Sequence, residues 1–380
     1  MGSKEKTTVR TFAFASFLND FGSDMIYPVW PLFVTLVLGA DMVTLGLLDG
    51  LGDAIVSLSQ AASGYVSDRT RKRKVFVWTG YLFGSTSRIG YALSTVWQHL
   101  IPFRILDRAG KMRGAPRDAI IADVSTKENR GRNFGLLRAM DNLGAVFGII
   151  VCLILFQTIG YTNLFLVAAV PSIVGALLII TFVRETKPSD RKIFKGVSFK
   201  DLDSNFRLFL FLSAFFALGS FSYSFLLISS KQLGYQTEFV PMLYLIFTAV
   251  AAVFSFPFGR LSDRIGRRPV LVLSLVFWLA LCLIFVFVQS YLMIGLTFVL
   301  YGLHRGSLEP VQKTLVSELA PAEYRASSLG AFQMVTGILT LPSSLIAGIL
   351  WEKVGLSAPF ILSAILTVVS VVILLFVKET

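Results

Sequence analysis

The chain has 380 residues, 54% of them apolar and 15% charged, with a mean hydropathy of +0.71, which excludes a domain solvated on all sides. Its net charge of +12 would suit a nucleic-acid partner, but the placement of the cations excludes one: 24 of the 35 Lys and Arg lie in the tails and alternate loops. Those loops cover 69–74, 127–132, 184–207, 260–268 and 325; Lys231 and Lys353 lie in the opposite loops, and nine cations lie inside apolar runs.

Runs of the ~20 residues that a membrane-crossing helix needs are predicted at 9–38, 41–66, 75–96, 98–125, 131–156, 161–184, 205–230, 238–259, 269–288, 291–319, 326–351 and 356–377. A membrane barrel would show ~10-residue alternating segments instead. The expected fold is therefore all-α and integral to a membrane, with twelve helices. The polar stretch from Glu185 divides the chain into six spans at 1–184, a cytoplasmic linker at 185–203 and six spans at 204–380. The linker has the composition of a surface amphipathic segment. The cation bias places both termini in the cytoplasm. The first run is interrupted by Asn19-Asp20 and no small-residue cleavage site follows, so an uncleaved first helix is expected. Lys6 stands where a myristoylation signal needs Ser or Thr. Cys152 and Cys282 fall inside spans and are expected to be buried packing, with no disulfide.

Charged residues inside spans are the candidate functional groups. In span one, Phe21-Gly22-x5-Pro28-Val29-Trp30-Pro31 sets two prolines three apart, which should bend or loosen the helix. Asp20/Asp24 and Asp49/Asp53 are i, i+4 pairs. Two like charges in a low-dielectric setting resist ionising together, so one member of such a pair can load and release a proton. Span four holds Arg104, Asp107, Arg108 and Lys111 at i, i+3, i+4 and i+7, one helical face, followed by Arg113, Arg117 and Asp118. Such a face must look into protein or a water-filled cavity. Arg104 with Asp20 or Asp24 is the expected proton-coupling site. Arg104, Arg108, Lys111, Arg138 and Asp141 are expected at the substrate, unless the charges form a locked salt-bridge network in which nothing titrates. The second half offers Tyr223 and Tyr244 among many Phe, with His304, Arg305 and Glu309 near its equivalent of span four. One ionic and one aromatic wall would suit an amphipathic organic solute, although lipid contact also produces Phe-rich spans. His304 reads either as a proton relay or as a hydrogen-bonded structural histidine.

Two landmarks recur at one offset. Gly64-x3-Asp68-Arg69-x3-Arg73 returns as Gly259-x3-Asp263-Arg264-x3-Arg268, and Asp123-x6-Arg130-x4-Gly135 returns as Glu318-x6-Arg325-x4-Gly330, each 195 residues later. The chain is therefore two copies of one bundle. Because six is even, both copies enter from the same side and the repeat is parallel.

The loop motif resembles the G-x-x-x-D-R-x-G-[RK]-[RK] of the major facilitator superfamily. The second copy fits throughout; the first has Arg71 where Gly266 stands in the second, so a different turn is expected there. The resemblance implies a secondary transporter, not an enzyme, working by alternating access without a cofactor and driven by a proton gradient. It also implies a cytoplasmic gate at Gly64, Asp68, Arg69, Arg73, Asp123, Arg130, Gly259, Asp263, Arg264, Arg268, Glu318 and Arg325, where arginines bridge to acidic helix ends. The span-one pattern is similar to that of twelve-span drug–proton antiporters, which implies export of amphipathic compounds. Span four begins the antiporter pattern with Leu100-x3-Arg104 and then departs at Asp107-Arg108, while span five has Gly144-x3-Gly148 but Ile149 in place of proline. These departures leave open uptake of an organic anion, such as a carboxylate or siderophore, bound by the span-four cations. A lipid flippase or a non-transporting sensor is the alternative of another class. No phosphate-cradling G-x4-G-K-[ST] loop and no His/Cys cluster with metal spacing occurs. Expected partners are a small organic solute, protons and the bilayer, with no nucleic acid, for a monomer in a plasma or inner membrane.

Overall fold

The computed structural model describes residues 3–70, 72–126, 130–185, 203–288, 290–320 and 325–378. Every regular element among them is helical. Six helical runs are long and apolar enough to cross a membrane: Met42–Ser67, Arg132–Phe182, Ser204–Gln232, Thr237–Ile265, Arg267–Phe287 and Ser328–Lys353. The second of these is two spans, because Gly160 (φ 70°, ψ 179°) breaks the helix Arg130–Phe182. The remaining spans are shorter or charged for reasons visible in their residues.

Span one runs as a helix from Ser3 to Asp24, loosens through 25–29, and resumes as Trp30–Leu32 and a π-helical turn, Phe33–Val37. The expected effect of the prolines is present: Pro28 has no N–H to return to the carbonyl of Asp24, where the first helix ends. Span four is not one helix but three pieces, Leu100–Ala109, a 3₁₀ turn at Gly110–Arg113, and Gly114–Asp123. Span seven is also interrupted, with Ser204–Gly219 and Tyr223–Gln232 separated by residues 220–222.

The chain packs as two compact units, Met1–Gly39 with Ile55–Phe194 and Ala40–Ala54 with Lys195–Thr380. The sequence repeat assigns all of span two to the first bundle. By packing, residues 42–54 of the helix Met42–Thr70 belong instead with the second.

In the first unit, Phe12, Val77, Tyr81, Ile120, Leu137 and Ile179 form a fully buried centre. Spans three and four cross at two glycines: a Cβ on Gly80 would lie 2.5 Å from the Gly110 carbonyl oxygen and 2.9 Å from the Cβ of Arg113. That contact brings the 3₁₀ turn, and the arginines around it, into the bundle. In the second unit the centre is aromatic. Phe216, Phe221, Tyr301 and His304 surround Trp278, whose Nε1 donates to Ser363 Oγ at 2.8 Å. Outward-facing Phe14, Val170, Leu177, Phe211, Val253 and Ile365 are exposed, the surface that a helix presents to lipid.

Substituting Gly80→Leu should lower the thermal midpoint of the detergent-solubilised protein, since overpacking costs about 1–3 kcal/mol. Gly135→Ala should match or exceed the parent, because nothing lies within 4 Å of a Cβ there. Equal midpoints for Gly80→Leu and the parent would contradict the crossing.

Candidate functional site

In the first unit the span-four cations meet span one in antiparallel order. Arg104 Cζ lies 4.3 Å from the Trp30 ring centroid and Arg108 Cζ 5.1 Å from that of Tyr27. Arg113 Nη2 is 3.8 Å from Asp20 Oδ1, and Arg117 Nη1 donates to Ser16 Oγ at 2.8 Å. A desolvated cation–π contact contributes about 2 kcal/mol, so Arg104, 1% exposed, is held by a ring. The Asp20 arm of the expected pairing is thus corrected: the partner of Asp20 is Arg113. Arg104 lies nine residues earlier, about 13 Å along a helix at 1.5 Å per residue. Asp24, half-buried, ends the first helix, and Lys111 sits half-buried on the 3₁₀ turn. Asp107 Oδ2 lies 3.6 Å from Arg108 Nε.

Toward the basic-loop end the row continues. Arg117 pairs with Asp118 (Nε–Oδ1, 3.0 Å) and with Asp141 (Nη1–Oδ1, 3.5 Å), and Asp141 also receives the exposed Arg138 at 3.4 Å. Behind the row, wholly buried Arg88 of span three donates to the Ala168 carbonyl, Ser172 Oγ and Ser23 Oγ, each at 2.7 Å, and to the Asn19 carbonyl at 3.3 Å. It ties spans one, three and six together.

In the second unit Tyr223 and Tyr244 pack edge to face at 5.2 Å, and Tyr244, Phe247 and Tyr301 continue the chain of rings. His304 is buried, with Nδ1 2.9 Å from the Ser274 carbonyl oxygen, so that nitrogen carries the hydrogen; Ser274 Oγ donates to the His304 carbonyl at 3.0 Å. This is the geometry of the structural histidine. Arg305, Glu309 and Lys313 form an i, i+4 ladder about half exposed, Arg305–Glu309 at 3.9 Å and Lys313–Glu309 at 2.7 Å. Asp49 and Asp53 belong to this unit, not to the span-four row, and Asp49 accepts from Ser222 Oγ and Ser224 Oγ. A cavity of about 520 Å³ lies between spans eight and ten, among Tyr235, Phe239, Met242, Tyr291 and Leu296, and no predicted site residue lines it.

At the basic loops the two repeats solve one problem in different registers. Arg73 Nη1 meets Asp123 Oδ2 at 2.5 Å, while Lys74 Nζ donates to the Ile180 carbonyl at 2.7 Å. In the second copy it is Arg267, not the expected Arg268, that meets Glu318 (2.9 Å) and Asp263 (2.5 Å). Arg268 donates to the Leu375 carbonyl at 3.0 Å. Ile180 and Leu375 are 195 apart, but the basic pair is 194 apart. The cause is the turn: Gly266 alone (φ 97°, ψ 163°) joins the helices ending at Ile265 and starting at Arg267, whereas residues 71 and 72 separate Thr70 from Arg73. A left-handed φ suits glycine, which carries no Cβ to clash. Arg69 reaches Tyr65 Oη at 3.5 Å, and Gly64 and Gly259 are helical, near the ends of their spans. Arg264, in the last turn of its helix, is exposed. The side chains of Asp68, Arg130 and Arg325 lie outside the described residues.

The sequence profile described as Major Facilitator Superfamily matches residues 12–251 and 208–380. An uncharacterized MFS-type transporter of Methanocaldococcus jannaschii is 38% identical over 97% of this chain and 94% of its own. The chain belongs to the major facilitator superfamily. It is a membrane-spanning transporter of small solutes, not an enzyme. A multi-drug resistance efflux pump PmrA homolog of Lactococcus lactis is 25% identical over 92% of this chain and 89% of its own. The crystal structure of the nucleoside transporter NupG superposes with a TM-score of 0.75 over 97% of this chain and 97% of that one, at 15% identity, a likeness of fold.

One residue of this superfamily chain escaped the motif reading. Glu185 Oε1 accepts the backbone N–H of Arg73 at 2.7 Å and of Lys74 at 3.1 Å, capping the start of span three. Its signal is a third repeat, Phe182-Val-Arg-Glu-Thr186 against Phe376-Val-Lys-Glu-Thr380, at the same 194 offset as the basic pair. Double-mutant cycles on thermal unfolding should give Arg267–Glu318 a coupling of about 0.2–1 kcal/mol, as for partly exposed pairs, and Arg268–Glu318 none. The reverse order would contradict the register.

Proposed function

We propose that this transporter exports amphipathic organic compounds in exchange for protons, by alternating access, with both termini in the cytoplasm. The observation that carries the reading is the Asp20–Arg113 pair. Among the unit's buried ion pairs it is a loose one, at 3.8 Å, with the carboxylate side chain one-quarter exposed. A carboxylate that water reaches, beside a guanidinium that holds its charge, can take up a proton in one state and return it in another as that spacing changes. Arg117, by contrast, is held by two carboxylates and a hydroxyl, a fixed support. The exposed Glu309 ladder and the Tyr223–Tyr244–Phe247 rings of the second unit supply the charged and apolar contacts that an amphipathic solute uses. The similarity to multi-drug efflux pumps of Lactococcus lactis and Streptococcus pneumoniae supports the same direction. Arg104 and Arg108 are already stacked on Trp30 and Tyr27, which leaves them less suited to capturing an organic anion.

The test is proton movement in everted vesicles carrying an imposed gradient, challenged with lipophilic cations, neutral amphiphiles and organic anions. Cations or amphiphiles should dissipate the gradient, and Asp20→Asn should slow this by about tenfold or more, a loss of coupling rather than of fold. A response to organic anions alone would overturn the export reading in favour of symport.

A further inference from the structure

Span two serves both units, and three contacts seat its residues 42–54 in the second. Met42 N donates to Glu352 Oε1 at 2.8 Å. Gly46 lies so close to span eleven that a Cβ there would be 2.2 Å from the Ser344 carbonyl oxygen. Asp49, 2% exposed, accepts from Ser222 Oγ at 2.7 Å and Ser224 Oγ at 2.5 Å. Ser222 ends the interruption of span seven and Ser224 follows it; Ser222 is the N-cap of Tyr223–Gln232, a helix start whose dipole favours a negative charge. A buried carboxylate is tolerable only with such directional bonds. The segment is therefore either seated on them or released into water, with little between.

The arrangement does not come from the repeat. The 195 offset places Tyr244 opposite Asp49, and Tyr27 and Val29 opposite Ser222 and Ser224. Nothing in the two-fold design asks for an acid at 49. Yet the contact joins a residue of the first repeat to residues of the second, on the face away from the basic loops.

We propose that Asp49, Ser222 and Ser224 form a latch that holds this half of span two down, and that its release is a step toward the state open on that face. The inference rests on alternating access in the superfamily and not on the identity of the substrate or the coupling ion.

Cys152 and Cys282 are buried, so a single introduced thiol can be followed. Ser344, 1% exposed beneath Gly46, becomes the reporter as Ser344→Cys, labelled by a membrane-impermeant maleimide in right-side-out and in everted vesicles. With the latch intact labelling is slow. Asp49→Asn, or Ser222→Ala with Ser224→Ala, should speed it by roughly tenfold, the expected shift of a two-state population, and only from the face away from the basic loops. Asp41→Asn, which removes an exposed charge in the same segment while keeping an acceptor for the Thr44 N–H, should leave the rate unchanged. Should Asp49→Asn fail to give a monodisperse protein, the double serine variant decides, because it leaves every charge in place. An unchanged rate in the folded latch variants, acceleration from the basic-loop face, or equal acceleration by Asp41→Asn would overturn the latch. No substrate or proton gradient enters the assay, so its failure is separate from failure of the export reading.

Discussion

Five guanidinium groups, those of Arg88, Arg104, Arg108, Arg113 and Arg117, are more than nine-tenths buried in one membrane unit, and that unit is built around their charge. A cation at bilayer depth is costly unless it is bonded on all sides. Arg88 is answered by two carbonyls and two hydroxyls, Arg104 by a ring, Arg108 by a ring and Asp107, Arg113 by Asp20 and the Gly110 carbonyl, and Arg117 by two carboxylates and a hydroxyl. The 3₁₀ turn in span four and the glycine crossing at Gly80 follow from the same need, because they bring those side chains inward rather than to lipid.

The second unit meets the opposite requirement. Its centre is a stack of rings about Trp278, an exposed ladder carries Arg305, Glu309 and Lys313, and its buried carboxylate, Asp49, is borrowed from the first repeat. Two copies of one ancestral pattern have thus diverged into a unit that manages charge and a unit that offers apolar contact. The basic loops show the same divergence at smaller scale. One glycine, Gly266, shortens a turn by a residue, and the ion pair moves from Arg268 to Arg267 without changing its acidic partner.

Much of this was legible in the sequence. Composition and the 195 offset are enough for twelve helices in two repeats, because bilayer thickness and the need to satisfy every backbone group leave few alternatives. The loop motifs also pointed to Asp123 and Glu318 as acceptors, and both accept. Pairings inside the bundle were less legible. One-face spacing shows which residues share a helix side but not which neighbour they meet, so it offers Asp20 or Asp24 to Arg104, whereas antiparallel packing sets Asp20 against Arg113. The assignment of Asp49 to the other unit depends on how span two packs along its length, which no periodicity reports. Glu185 is hidden for a simpler reason: its echo is offset by 194, one residue from the main repeat.

On the proposed function the Asp20–Arg113 pair is used in transport and is not only a means of neutralising buried charge. The most direct measurement compares substrate exchange with net proton movement in proteoliposomes containing the double variant Asp20→Asn, Arg113→Gln. Removing both partners leaves no unmatched buried charge, so the fold should survive. Exchange should continue while substrate-driven proton movement stops. Proton movement at the parent rate in that variant would contradict it.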